Sequence, residues 1–96
     1  MPAYAIAEVE ITDPEGFKAY MAAAPAAVAE FGGEYMVRGG PLETLEGGWQ
    51  PKRLTVLRFP SMAQAKAFYD SPGYRAAREL RAGLTDRFDM VVVEGV

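Results

Sequence analysis

The chain has 96 residues, half of them hydrophobic and 24% charged, which describes a globular protein with one core and one domain over residues 1–96. A net charge of −3 offers no general attraction to nucleic acid or to an anionic membrane, so neither is expected as a partner. There is no cysteine and no histidine, which excludes disulfides, thiol chemistry, Ser-His-Asp arrangements and the usual ligands of zinc and haem.

The N-terminal stretch "MPAYAIAEVEITDPEG" lacks a basic region and meets acidic residues early, and no apolar run is long enough to span a bilayer. A cytoplasmic location is expected. From Ala3 to Ile11 small and apolar residues alternate with Tyr4, Ile6, Glu8 and Glu10, the period of a strand. Asp13 and Pro14 then form a helix start, an N-cap followed by a proline at the first helical position. Phe17, Tyr20, Met21, Ala24, Val28 and Phe31 recur on one helical stripe, with an irregularity expected at Pro25 and a stop at Gly32-Gly33.

Glu34 to Arg38 reads as the second strand, Leu42 to Glu46 as a short additional strand, and Arg53 to Phe59 as the next. Ser61 opens a helix with a capping box, Gln64 being placed to reach back to the Ser61 amide. Ser71-Pro72 repeats the cap-then-proline device and starts a helical stretch to about Leu84, and Arg87 to Val93 is the last strand.

The order is βαββαβ, an α+β ferredoxin-like arrangement with a four-stranded antiparallel sheet and helices on one face. Yet every long strand is apolar on both sides, as in Leu54 and Val56 against Leu57 and Phe59. Helices on one side leave the other uncovered, and the simplest cover for so short a chain is a second copy, giving a homodimer.

Candidate functional residues follow from residue type. Trp49, the only tryptophan, sits between Gly47-Gly48 and Pro51; it reads either as a plug under the turn or at the dimer seam, or as the wall of a pocket that stacks on an aromatic ligand. Tyr74, Arg78 and Arg81 share one helical stripe, on which an arginine fork suits an anionic group and a phenol orients a bound oxygen. Arg53 and Arg58 point to opposite faces of one strand, and Arg58, beside Leu54 and Val56, needs a carboxylate that Glu8 or Glu10 would supply. No phosphate-binding loop, metal-ligand spacing or RNA-stacking motif is present, so no cofactor and no metal is expected.

The stretches "YAIAEVEITDPEGFKAY", "GGEYMVRGG", "LEGGWQPKRLTVLRFPSMAQAKAFYDSPGY" and "VVVEG" together resemble the domain of unknown function 1330 family over essentially the whole chain. The resemblance implies a dimeric α/β barrel, the fold of small cofactor-free monooxygenases and muconolactone isomerases. It carries over Asp13, Tyr20, Gly32, Gly33, Glu46, Gly47, Trp49, Arg53, Phe59, Pro60, Ser61, Ser71, Pro72, Tyr74 and Arg81. Arg58 and Gly73 stand where the family pattern usually has acidic residues.

The expected function is that of a cofactor-free enzyme, isomerase or monooxygenase-like, acting on a small aromatic or anionic organic molecule. Trp49 would stack on it, Arg53 or Arg81 would hold its anionic group, and Tyr74 is the candidate catalytic residue. The alternative is a non-catalytic homodimer that binds a metabolite. A third reading is an interaction module that uses Leu42 to Glu46 as an edge.

Overall fold

A computed structural model describes residues 1–96. The elements are β1 (Ala3–Ile11), α1 (Pro14–Glu30), β2 (Glu34–Arg38), β3 (Leu54–Phe59), α2 (Met62–Asp70), α3 (Pro72–Glu79) and β4 (Thr85–Glu94). The strands form one antiparallel sheet in the order β2-β3-β1-β4. This is the ferredoxin-like α+β arrangement that the alternation of elements predicts.

Local chemistry sets the helix starts. The Asp13 carboxylate accepts from the Gly16 amide at 3.1 Å, with Pro14 at the first helical position. Pro25 does not end α1, which runs through it for 17 residues. Proline has no N–H to give the Met21 carbonyl four residues back, and the Arg38 guanidinium donates to that carbonyl instead. A long-range side chain thus replaces the missing helical bond. At the end of α1 the backbone passes close to the sheet: a Cβ on Gly33 would lie 2.5 Å from Phe59 Cε1 and 2.8 Å from Val28 Cγ1.

Four sequence expectations are corrected. Leu42 to Glu46 forms no strand and is exposed throughout, the chain having turned at Gly39 with φ 71°. The edge-strand interaction module therefore has no strand to offer. Ser61 makes only half of its capping box: its Oγ accepts from the Gln64 amide at 3.2 Å, while the Gln64 side chain donates to the Phe31 carbonyl, an acceptor left over at the end of α1. Helix α3 stops at Glu79, and the following turn tightens to i→i+3 bonds up to Leu84. The last strand is longer than expected, running from Thr85 to Glu94 along β1 with a bulge that leaves Asp86 unpaired.

Ser71 separates α2 from α3. It is buried, donates to the Phe68 carbonyl at 2.7 Å and accepts from the Tyr74 amide at 3.1 Å. Both bonds are lost in Ser71→Ala, which is expected to lower stability by about 1–2 kcal/mol in urea unfolding.

The two sheet faces differ. Ala3, Ala5, Ala7 and Val9 of β1 face the helices and are all buried; their small size lets α1 and the α2–α3 pair approach the sheet. Leu57 and Phe59 of β3 share this face, and Phe59 packs on Phe68, which packs on Tyr74, at ring separations of 5.0 and 4.3 Å. The opposite face carries Tyr4, Ile6, Leu54, Val56, Val91 and Val93 with no helix over it, leaving Val91 and Val93 62% and 49% exposed.

Candidate functional site

Between α1, α3 and the sheet lies a cavity of about 30 Å³. Its walls are mostly apolar, from Ala5, Ala7 and Val9 of β1 to Val28 of α1 and Leu57 of β3. The polar lining is Tyr20, Tyr35, Arg38, Arg53, Thr55 and Tyr74, and no carboxylate is among it. Space of this size holds a water or two, so an organic ligand enters only if side chains at the rim move. Arg38 is exposed and Arg53 half-buried, which makes these long side chains the movable part of the wall.

The two cations are unpaired. Arg38 spends a donor on the Met21 carbonyl and stacks over the Tyr35 ring at 4.5 Å, and neither Arg38 nor Arg53 has a carboxylate partner. Gly39 makes room for Arg53, since a Cβ there would collide with the guanidinium.

At the inner end, the hydroxyls of Tyr20 and Tyr74 stand 2.7 Å apart. Tyr74 is buried under Phe68, Tyr69 and the Arg78 guanidinium; the Tyr20 ring lies against Phe17 and Phe88. Burial, then the neighbouring Tyr74 phenol, pushes the Tyr20 hydroxyl well above the ordinary tyrosine range, against the opposing pull of Arg81. Burial also pushes Tyr35 up. Tyr20 therefore stays a neutral hydrogen-bonding phenol at neutral pH.

Of the residues singled out in the sequence, Arg53 and Tyr74 line this one cavity. Arg81 stands behind it, stacked over Phe88 at 3.6 Å and 5.3 Å from the Tyr20 ring centre, its buried Nε without a partner. Trp49 is elsewhere. Its indole N–H donates to Glu8 Oε1 at 3.2 Å on the helix-free face of the sheet, and it is 60% exposed. It is not among the residues that line the cavity of Tyr74. Arg58 does share a face with Leu54 and Val56, but its partner is Glu34 at 3.5 Å; Glu8 and Glu10 go to Arg87 at 3.8 and 3.3 Å, which lies nearer across the β1–β4 ladder. Arg78 stacks on the Tyr69 ring at 4.3 Å.

Sequence reasoning did not assign Tyr20, Tyr35 or Arg38 to the site. Tyr20 was legible as a member of the buried helical stripe and of the family pattern. Arg38 was not legible, because simple alternation puts it on the face opposite Tyr35. The register shift between Tyr35 and Val37 turns both onto the cavity side, opposite Leu57 and Thr55.

The sheet order and the single layer of helices define a ferredoxin-like α+β protein with a small cavity under its helices. Solved structures share this fold across nearly the whole chain. One is a protein of unknown function from Rhodopseudomonas palustris (TM-score 0.78, 18% identity, 99% of this chain and 82% of that one). A second, from a Jannaschia species, is described as a dimeric ferredoxin-like protein of unknown function (0.73, 19%, 99% and 100%). A third, from Nitrosomonas europaea, is provisionally described as an antibiotic biosynthesis monooxygenase (0.59, 13%, 99% and 90%). The chain itself belongs to the family described as Domain of unknown function (DUF1330), whose model matches residues 2–96. No curated protein matches it in sequence.

Proposed function

We propose that this protein is a homodimer that binds a small anionic organic molecule in the cavity under its helices. One observation carries the reading: in a chain of net charge −3, the cavity is lined by two arginines and three tyrosines and by no acid. A guanidinium without a carboxylate partner, at the rim of an apolar space, favours a planar anion such as a carboxylate. Arg53 is the anion-holding residue and Tyr74 the group that meets the ligand's inner end.

The enzymatic form of this reading is a cofactor-free isomerase or monooxygenase-like reaction with Tyr74 as the proton-bearing group. The Nitrosomonas europaea neighbour supports it by fold analogy. A non-catalytic metabolite-binding dimer uses the same residues and differs only in turnover. NMR titration with a panel of short carboxylates, followed by product analysis, tests both. Arg53→Gln is expected to weaken binding of the best acid by about ten- to a hundredfold, the effect of losing a charge-assisted hydrogen bond. Unchanged affinity would remove Arg53 from the site.

The dimeric part rests on the helix-free face, where Ile6 stands between Val56 and Val91 and Tyr4 beside Val93. Sheet-to-sheet packing about a twofold axis would bury this uncovered apolar face. The description of the Jannaschia protein as dimeric agrees with this. Trp49 would then lie at the seam.

A further inference from the structure

Two phenols in contact carry one more donor than the contact uses. Each tyrosine hydroxyl has a single proton to give and can also accept. Tyr20 and Tyr74, 54 residues apart in the chain, make one hydrogen bond to each other at 2.7 Å, and either can be its donor. Whichever donates, the O–H of the other has no acceptor in the protein. That leftover O–H belongs to an oxygen already polarised by receiving a hydrogen bond, which strengthens it as a donor. Both side chains line the same cavity, whose apolar lining includes Ala5, Val28, Leu57 and Phe68. The raised proton affinity of Tyr20 keeps its own hydroxyl protonated at neutral pH.

We propose that the Tyr20–Tyr74 pair is a donor site for a carbonyl oxygen, and that the cavity takes a short oxo acid whose carboxylate meets Arg53 and Arg38 while its carbonyl oxygen takes the unused phenol proton. This rests on the anion-binding reading of the cavity and adds the chemistry of the ligand's buried end. The remaining walls of the cavity are mostly apolar and would face the short run of carbon between the two oxygen functions.

The test is a ¹H–¹⁵N NMR titration of the full chain with 4-oxopentanoate and with 4-methylpentanoate, which has the same charge and length but no carbonyl. The oxo acid is expected to bind about tenfold more tightly. The ¹³Cζ resonances of Tyr20 and Tyr74 shift with the oxo acid only, a readout that needs no variant. Tyr20→Phe and Tyr74→Phe each leave one O–H and keep part of the preference; the double variant, with both rings retained, abolishes it. Equal affinity of the two probes for the unaltered protein overturns the proposal, as does a preference that survives in the double variant. If both probes bind equally and Arg53→Gln weakens both, the anion-binding reading stands without the phenol pair. If neither probe binds but other carboxylates of the panel do, only the oxo-acid class falls. If no carboxylate binds, both readings fall.

Discussion

Val91→Glu is expected to turn the proposed dimer into a folded monomer. In the single chain Val91 is 62% exposed, opposite Ile6 in the β1–β4 ladder and on the face that no helix covers. A glutamate there stays in water as long as the chain is alone, so folding stability changes by no more than about 0.5 kcal/mol. Across a twofold axis the same substitution enters twice and buries two like charges against an apolar sheet. The desolvation penalty is several kcal/mol per ion, so association weakens by at least about a thousandfold. Analytical ultracentrifugation at micromolar concentration, with circular dichroism to confirm the fold, reads the outcome. A parent protein that sediments as a monomer would sink the covered-face proposal before any variant is made.

The largest expected loss of stability is at Phe59. Its side chain is fully buried, packs on Phe68 at 5.0 Å and closes over Gly33, where the chain leaves α1 for β2. Truncation to alanine leaves a cavity at the meeting of α1, α2 and the sheet and is expected to cost about 3–5 kcal/mol. For a domain of this size, with a total stability of roughly 5–15 kcal/mol, that is a large share. The urea midpoint should fall with little change in slope. Gly33→Ala offers an independent check of the same contact: its new methyl group collides with the Phe59 ring and with Val28, so it destabilises the parent strongly. In the Phe59→Ala background one of the two collisions is gone, and the double variant should lose less than the sum of the single losses. Strict additivity would show that the ring and the glycine do not share that space.

The neighbouring solved structures, at 13–19% identity, agree with this chain in fold and say little about side-chain chemistry. The candidate site therefore rests on residues of this chain. Arg53 and Tyr74 were legible as polar groups of suitable chemistry, and the fold brings them to one cavity. Trp49, read as either plug or wall, sits across the sheet from that cavity, held by Glu8.

Short-range physics controls the features that could be read from the chain alone. The caps at Asp13, Ser61 and Ser71 act within three residues, and strand alternation acts within two, so element order and the two-faced sheet could be read directly. Tertiary structure alone decided pairings between distant segments. The bulge that swings Arg38 to the cavity, the choice of Glu34 over Glu8 for Arg58, the contact of Tyr20 with Tyr74 and the fate of Leu42 to Glu46 all depend on which strand edge or helix face arrives opposite. A one-residue change of register moves a side chain to the other face, and no local signal around Met36 announces one.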